Sequence, residues 1–202
     1  MKLPAATSDF KPLDPGTHLA ICYEVIDFGT QRDVYEGEEN IRRKLWIGWE
    51  IPDQTMDDGR PFVIGKEYTL SMHEKSALRK HLEAWRGIPF TDEDLGESGK
   101  FDVKNIIGKP CALSVTHNDK GRAKVASVIA LMKGTQVPAK TNDERFLSLA
   151  PDEFDVEAYH SLNEWMKEKI ATSPEFAATQ KPVAGRVTVP EIDETDENDL
   201  PF

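Results

Sequence analysis

Residues 41–51, IRRKLWIGWEI, decide the fold because their apolar side chains recur at every second position. Successive side chains of a β-strand point to opposite faces of a sheet, so this alternation predicts a strand with one buried face. The predicted inward side chains are Leu45, Ile47, Trp49 and Ile51. The predicted outward side chains are Arg42, Lys44, Trp46, Gly48 and Glu50. The strand therefore has an apolar face for a core and a cationic face that carries a tryptophan.

Two further strands flank this one in the sequence. Residues 17–29 are rich in apolar and β-branched side chains and predict a first strand that ends at Gly29. A charged loop over 30–40 follows it. Residues 61–72 predict a third strand, broken or bulged at Gly65.

A helix follows the third strand, and a β-hairpin follows the helix. Ser71 and Glu74 have the spacing of a helix-capping pair, and Gly87 is placed to end the helix. The apolar stripe of this helix is Leu78, Leu82 and Trp85. Residues 110–117 and 122–131 are strand-like segments joined by a short Asn-Asp-Lys-Gly turn, which predicts the hairpin.

The order strand, strand, strand, helix, strand, strand is the element order of the OB-fold. Residues 1–133 are therefore predicted to form a mainly β domain, a five-stranded OB-fold barrel with a helix between strands three and four. Residues 134–170 predict a connector and an amphipathic helix over 152–170, which packs either on the barrel or on a second subunit. Pro, Thr, Ala and acids dominate 171–202, which predicts a disordered acidic tail.

The net charge of -11 is concentrated in the last third of the chain. Residues 141–202 hold 15 acidic and five basic residues, whereas residues 1–140 hold 21 acidic and 20 basic residues. The predicted barrel is thus almost neutral. A local basic face on it can bind an anion although the whole chain is acidic.

Composition and motifs exclude several classes of protein. No apolar stretch is long enough to span a bilayer, so we expect no membrane association. The first residues lack a secretory signal pattern, and Cys22 and Cys111 lie in apolar runs, which indicates reduced core thiols and a cytoplasmic protein. Motifs of phosphate loops, nucleophile elbows and zinc sites are absent, so we expect no catalysis, no cofactor and no metal.

Trp46 is the central residue of a candidate nucleic-acid site. A tryptophan that points outward between Arg42 and Lys44 offers a flat ring for base stacking and cations for phosphates. Gly48, on the same face, leaves room for a base. The alternative is that loops or the C-terminal helix cover Trp46. The other candidates, beside the two loops that flank an OB-fold cleft, are Arg32, Tyr35, Arg43, Lys120, Arg122 and Lys124. Weaker candidates on the third strand are Arg60, Lys66 and Tyr68, of which Tyr68 shares the parity of Leu70 and Met72 and is expected in the core.

Two stretches resemble known families. Residues 196–202, DENDLPF, resemble the acidic tip of bacterial single-stranded DNA-binding proteins. Residues 68–91 and 108–117 resemble phage and prophage single-stranded DNA-binding proteins, a likeness that covers most of residues 10–133. The resemblance implies binding and protection of single-stranded DNA in phage replication, recombination and repair, within the cytoplasm of the host cell. The predicted helix over 152–170 departs from the bacterial pattern, so whether the chain forms a homo-oligomer is left open.

In that family the tip recruits replication and recombination proteins. Carried over here, the tip's Phe enters an apolar pocket of a partner, its Pro fixes the approach, and its acids meet basic side chains. The implied partner-docking residues are Asp196, Glu197, Asp199, Leu200, Pro201 and Phe202. Two other functions remain open: an RNA-binding OB-fold module, and a protein–protein adaptor without nucleic-acid binding.

Overall fold

The sheet dominates the structure, a computed structural model that describes residues 12–35, 37–96 and 99–180. Its strands are β1 (Gly16–Tyr35), β2 (Glu38–Thr55), β3 (Pro61–Thr69), β4 (Pro110–His117), β5 (Ala123–Ile129) and β6 (Arg145–Leu147). The spatial order is β3-β2-β1-β4-β5, with antiparallel neighbours, and β6 pairs in parallel with β1. Within the described ranges no ladder joins β3 to β5. The predicted mainly β class is confirmed, and the described part of the chain has six strands in an open sheet.

Alternation in β2 produces the predicted buried face. Leu45, Ile47, Trp49 and Ile51 are each at most 3% exposed. They join inward residues of β1, β4 and β5 and the helix α1 (Ala77–Arg86) in the main apolar core. Both cysteines lie in this core as free thiols, as predicted.

Gly29 does not end the first strand. Its φ of 68° and the shift of register between Asp27 and Gly29 mark a bulge, and its N–H donates to the Asp27 carboxylate at 2.9 Å. Glycine takes this left-handed conformation at little cost. β1 therefore continues beyond the bulge, and most of the predicted loop over 30–40 is a β-hairpin arm formed by the ends of β1 and β2.

Two other local predictions need correction. β3 is continuous through Gly65, which pairs with Gly48 in regular register, so there is no break or bulge. The helix cap is Ser76 rather than Ser71, since the Ser76 hydroxyl accepts from the Arg79 N–H at 3.2 Å. The predicted C-terminus is confirmed, because Gly87 adopts the left-handed conformation and closes α1.

The C-terminal segment, residues 141–180, folds onto the outer face of β1 in the same chain. It contains β6 and the helices α2 (Val156–His160), α3 (Glu164–Ala171) and α4 (Pro174–Thr179). A second apolar cluster forms beneath it, made of Ile26, Phe28, Leu147, Leu149, Leu162, Met166 and Ile170. The predicted single helix over 152–170 is wrong, because extended backbone at Asn163 separates α2 from α3.

The boundary predicted for the tail at 171 is also too early. α4 lies beyond it, with Ser173 as its cap and Pro174 in its first turn, a favourable start for a helix. Phe176 of α4 packs on Phe154 and Tyr159, with ring centroids 5.9 and 4.8 Å apart. The domain boundaries predicted at 133 and 170 therefore divide elements that pack together. None of the helices described is long and apolar enough to cross a bilayer.

Candidate nucleic-acid interface

Trp46 lies on the outer face of β2, but the C-terminal segment covers much of it. Its indole N–H donates to Glu24 at 2.8 Å. Its ring lies 6.1 Å from Phe28 and 5.2 Å, edge to face, from Trp165 of α3. Trp46 was predicted either as an exposed stacking ring or as a covered side chain, and in the structure it is covered. Trp46 is a half-buried packing residue and not a free platform.

Two glycines shape this packing. An added Cβ at Gly65 would lie 2.0 Å from the Trp46 ring, so Gly65 makes room for the indole. An added Cβ at Gly48 would lie 2.5 Å from the Glu24 side chain. The space above Gly48 is thus filled by a carboxylate, and the expectation that it receives a base is wrong.

Buried carboxylates hold the C-terminal segment against this face. Glu24 is 2% exposed and accepts from Tyr23, Trp46 and Arg145. Glu50 is fully buried and accepts from the backbone of Thr141 and Asn142. A charge removed from water needs such partners, because its desolvation is costly. Burial, and then the negative charge of Glu24, raise the pKa of the Tyr23 hydroxyl well above its usual value.

Three predicted cations near the first loop are neutralised. Arg43 pairs with Asp27, and its Nε donates at 3.2 Å. Lys44 has a side chain only 15% exposed and pairs with Asp33 at 2.8 Å and with Glu67. A hydrogen bond from Lys44 lowers the pKa of the Asp33 carboxyl. At the surface, Arg32 pairs with Glu39 at 2.9 Å.

The β1–β2 arm carries the other predicted residues from this region. Arg42 is exposed and donates to the Asn40 side chain at 3.3 Å. The backbone of Tyr35 pairs with Glu38 at the end of β1. The arm therefore holds Arg32 and Arg42 outside the groove that Trp46 and Trp165 line.

The β4–β5 hairpin presents a different set of cations. Lys120, Arg122 and Lys124 are exposed, and no described carboxylate lies within ion-pair distance of them. The Asn118 side chain fixes their turn by accepting from the N–H groups of Lys120 and Arg122, both at 3.0 Å. These cations remain free to meet an anionic ligand.

A groove of about 580 Å³ joins this hairpin to the tryptophans, and we call it the hairpin groove. Its lining includes Trp46, Phe62, Val63, Lys120, Arg122 and Trp165. Trp165 is 45% exposed and Val63 is 46% exposed, so the groove has open apolar surface beside two cations. Three predicted site residues, Trp46, Lys120 and Arg122, thus come together here.

Trp165 is the residue of this groove that the sequence interpretation missed. The amphipathic helix predicted over 152–170 includes Trp165 among the apolar residues expected to pack inward. Its neighbour Met166 is 2% exposed and occupies the core, and adjacent positions of a helix point in different directions. That adjacency in the sequence is a signal that one of the two side chains faces solvent.

The predicted docking residues Asp196, Glu197, Asp199, Leu200, Pro201 and Phe202 lie outside the described residues. Among the residues that are described, no three His, Cys, Asp or Glu side chains gather as a metal site requires. No protein-family model and no curated protein matches the chain.

Proposed function

We propose that the chain is a sequence-tolerant single-stranded DNA-binding protein built on an open OB-fold barrel. The strand order β3-β2-β1-β4-β5, with α1 between β3 and β4, is consistent with that barrel. The Lys66 ammonium donates to the Val125 carbonyl at 2.9 Å, which brings β3 beside β5, where such a barrel would close.

The convergence of Trp165 with Lys120 and Arg122 in the hairpin groove carries this proposal. A half-exposed indole can stack on any base, because every base has a flat π-face, and each stack contributes roughly 1–3 kcal/mol. The two cations, which pair with no described carboxylate, meet the phosphates. Trp46 packs edge to face on Trp165 and, through its bond to Glu24, orients that ring.

The proposed biological setting is DNA replication and recombination of a phage. It rests on the resemblance of residues 68–91 and 108–117 to phage and prophage proteins of this type. We also propose that the acidic-apolar segment 196–202 recruits partner proteins. Its six acidic or apolar residues suit a pocket with an apolar floor and a basic rim, and their charges would make the contact sensitive to salt.

A titration of intrinsic tryptophan fluorescence with oligo-dT tests the proposed function. We expect quenching by the intact chain and a loss of affinity of about 5- to 150-fold in Trp165→Ala, because one stacking platform is removed. Trp165→Phe keeps a flat ring and should retain most of the affinity. Thermal melts of each variant show that the fold is intact.

Arg32→Gln is the matched control for the cations, since Arg32 is already paired with Glu39. It should bind like the intact chain, whereas Lys120→Gln and Arg122→Gln should weaken binding and reduce its dependence on salt. No quenching by DNA would reject the proposal. Tighter binding of a matched RNA oligomer would favour an RNA-binding module, and no binding of either would favour an adaptor.

A further inference from the structure

β3 and β5 run beside each other without a backbone ladder in the described chain, and a lysine bridges the gap. The Lys66 side chain extends from β3 and its ammonium donates to the Val125 carbonyl of β5 at 2.9 Å. Lys124 precedes Val125 and points outward, because Val125 is 1% exposed and neighbouring strand residues alternate. We call this place, defined by Lys66 and Lys124, the β3–β5 seam.

Among the described residues, the two ammonium groups of the seam have no counter-charge. No carboxylate in the described ranges forms an ion pair with Lys66 or Lys124. Burial, and then the charge of Lys124, lower the pKa of the Lys66 ammonium. Like charges held together repel, and an anion placed between them would relieve that repulsion.

Two titratable neighbours of Lys66, Tyr68 and His81, are uncharged at pH 7. The Lys66 ammonium lies 5.5 Å from the Tyr68 ring, and the Tyr68 hydroxyl bonds to His81 Nδ1 at 2.8 Å. Burial, and then Lys66, lower the pKa of His81 to about 4, so its imidazole is uncharged. Burial raises the pKa of the Tyr68 hydroxyl well above its usual value, so it stays protonated. Neither group competes with an incoming anion for the two ammonium groups.

The seam also continues the cation row of the β4–β5 hairpin. Arg122 and Lys124 alternate with Ala123 and Val125, both of which pack on the main core. Residues two apart on a strand are about 6.6 Å apart. That is similar to the spacing of successive phosphates in an extended single strand. Asp119 is the acidic residue of the turn, and it lies before this row in the sequence.

We infer that the β3–β5 seam binds a backbone phosphate of single-stranded DNA. The strand leaves the hairpin groove past Lys120 and Arg122 and continues along β5, where Lys124 and Lys66 hold the next phosphate. This inference rests on the proposed DNA binding, and it adds a direction to the path of the strand. The bases stack at Trp165, and the backbone follows the hairpin toward the seam.

Salt dependence of oligo-dT binding tests the inference with the full-length chain. A neutralised phosphate contributes about 0.7 to the slope of log K against log salt for a single strand. We expect Lys124→Gln to lower the magnitude of that slope by about 0.7, measured between about 50 and 200 mM salt. Lys100→Gln is the matched control. Lys100 is exposed and already paired with Glu93 at 2.7 Å, so the slope of this variant should equal that of the intact chain.

Lys66→Gln should lower the slope in the same way, and a thermal melt will show whether loss of its bond to Val125 loosens the fold. If the Lys66→Gln variant proves to be loosened, Lys124→Gln still decides the test, because Lys124 is exposed. If the intact chain binds DNA and Lys124→Gln keeps the full slope, the seam is not on the path, while DNA binding stands. If the intact chain does not bind DNA, the seam inference and the proposed function are both wrong.

Discussion

The outer face of β1 and β2 and the hairpin groove both place aromatic rings beside cations, yet the cations of the two regions have opposite electrostatic surroundings. Under the C-terminal segment, cations are matched by acids: Arg145 pairs with Glu24, Arg43 with Asp27, and Lys169 with Glu67. On the hairpin, the cations have no such partners among the described residues. A cationic strand beside a tryptophan therefore does not by itself define a binding site. Whether such a strand is a binding site depends on the segment from further along the chain that packs on it.

The reason is energetic. An ion pair under a cover stabilises the cover only when each charge keeps its partner, since an unpaired buried charge is costly. The same groups left in solvent cost little and remain available to a ligand. The covered face thus serves the fold, and the hairpin groove with its seam is left for recognition.

The largest difference should appear when one arginine is removed from each region. Arg145→Leu leaves the Glu24 carboxylate buried without its cation, so the free energy of unfolding should fall by about 3–5 kcal/mol. Arg122→Leu removes an exposed cation that pairs with no described carboxylate, and should change the free energy of unfolding by no more than about 0.5 kcal/mol. Urea denaturation of both variants measures this. Equal losses would mean that the covered face is not held by its buried pairs.

A smaller loss should follow from loosening α4. Phe176→Ala removes a half-buried ring that packs on Phe154 and Tyr159, so we expect a loss of about 2 kcal/mol. Limited proteolysis should then cut the chain near α4 faster than in the parent. Phe176→Leu keeps most of the apolar contact and should lose less. Unchanged stability and cleavage in Phe176→Ala would show that α4 does not dock on the sheet.

The third expected result concerns the pH dependence of stability. His81 has a pKa of about 4 in the folded chain and an ordinary value of 6.5, so the unfolded chain binds its proton more readily. Between these values stability should rise with pH, and this part of it is lost as pH falls from 6.5 toward 4. His81→Gln should flatten the dependence, as measured by unfolding midpoints across this range. Identical pH profiles of parent and variant would contradict the lowered pKa.

Short-range patterns predicted much of the sheet, because the residues that form each element are neighbours in the sequence. Alternation gave the inward face of β2, and β4 spans the predicted 110–117. The bulge at Gly29 could not be predicted, because a glycine after an apolar run is compatible with either a strand end or a bulge.

The cover over Trp46 could not be predicted in the same way. The cover depends on a contact between Glu24 and Arg145, which lies 121 residues further along the chain. A local pattern of residues cannot indicate a contact between positions so far apart. The sequence does contain a chemical indication that β1 is covered. Glu24 and Asp27 interrupt an apolar run, and buried acids require partners. That requirement indicates that another segment must cover β1, although not which one.

The indole N–H signals of the four tryptophans offer the most direct test of the central claim, that single-stranded DNA binds in the open hairpin groove while the covered face stays closed. In ¹H–¹⁵N spectra of the intact chain titrated with oligo-dT, Trp165 should shift most. Trp46, bonded to Glu24, should shift less.

The other two tryptophans are internal controls. Trp49 is fully buried, and Trp85 donates to the Pro110 carbonyl at 2.8 Å, so their signals should stay in place. The account predicts that order of shifts, with the Trp46 indole still bonded and protected from exchange. An unshifted Trp165 signal would contradict this account. So would a Trp46 indole N–H that loses its protection from exchange as DNA is added.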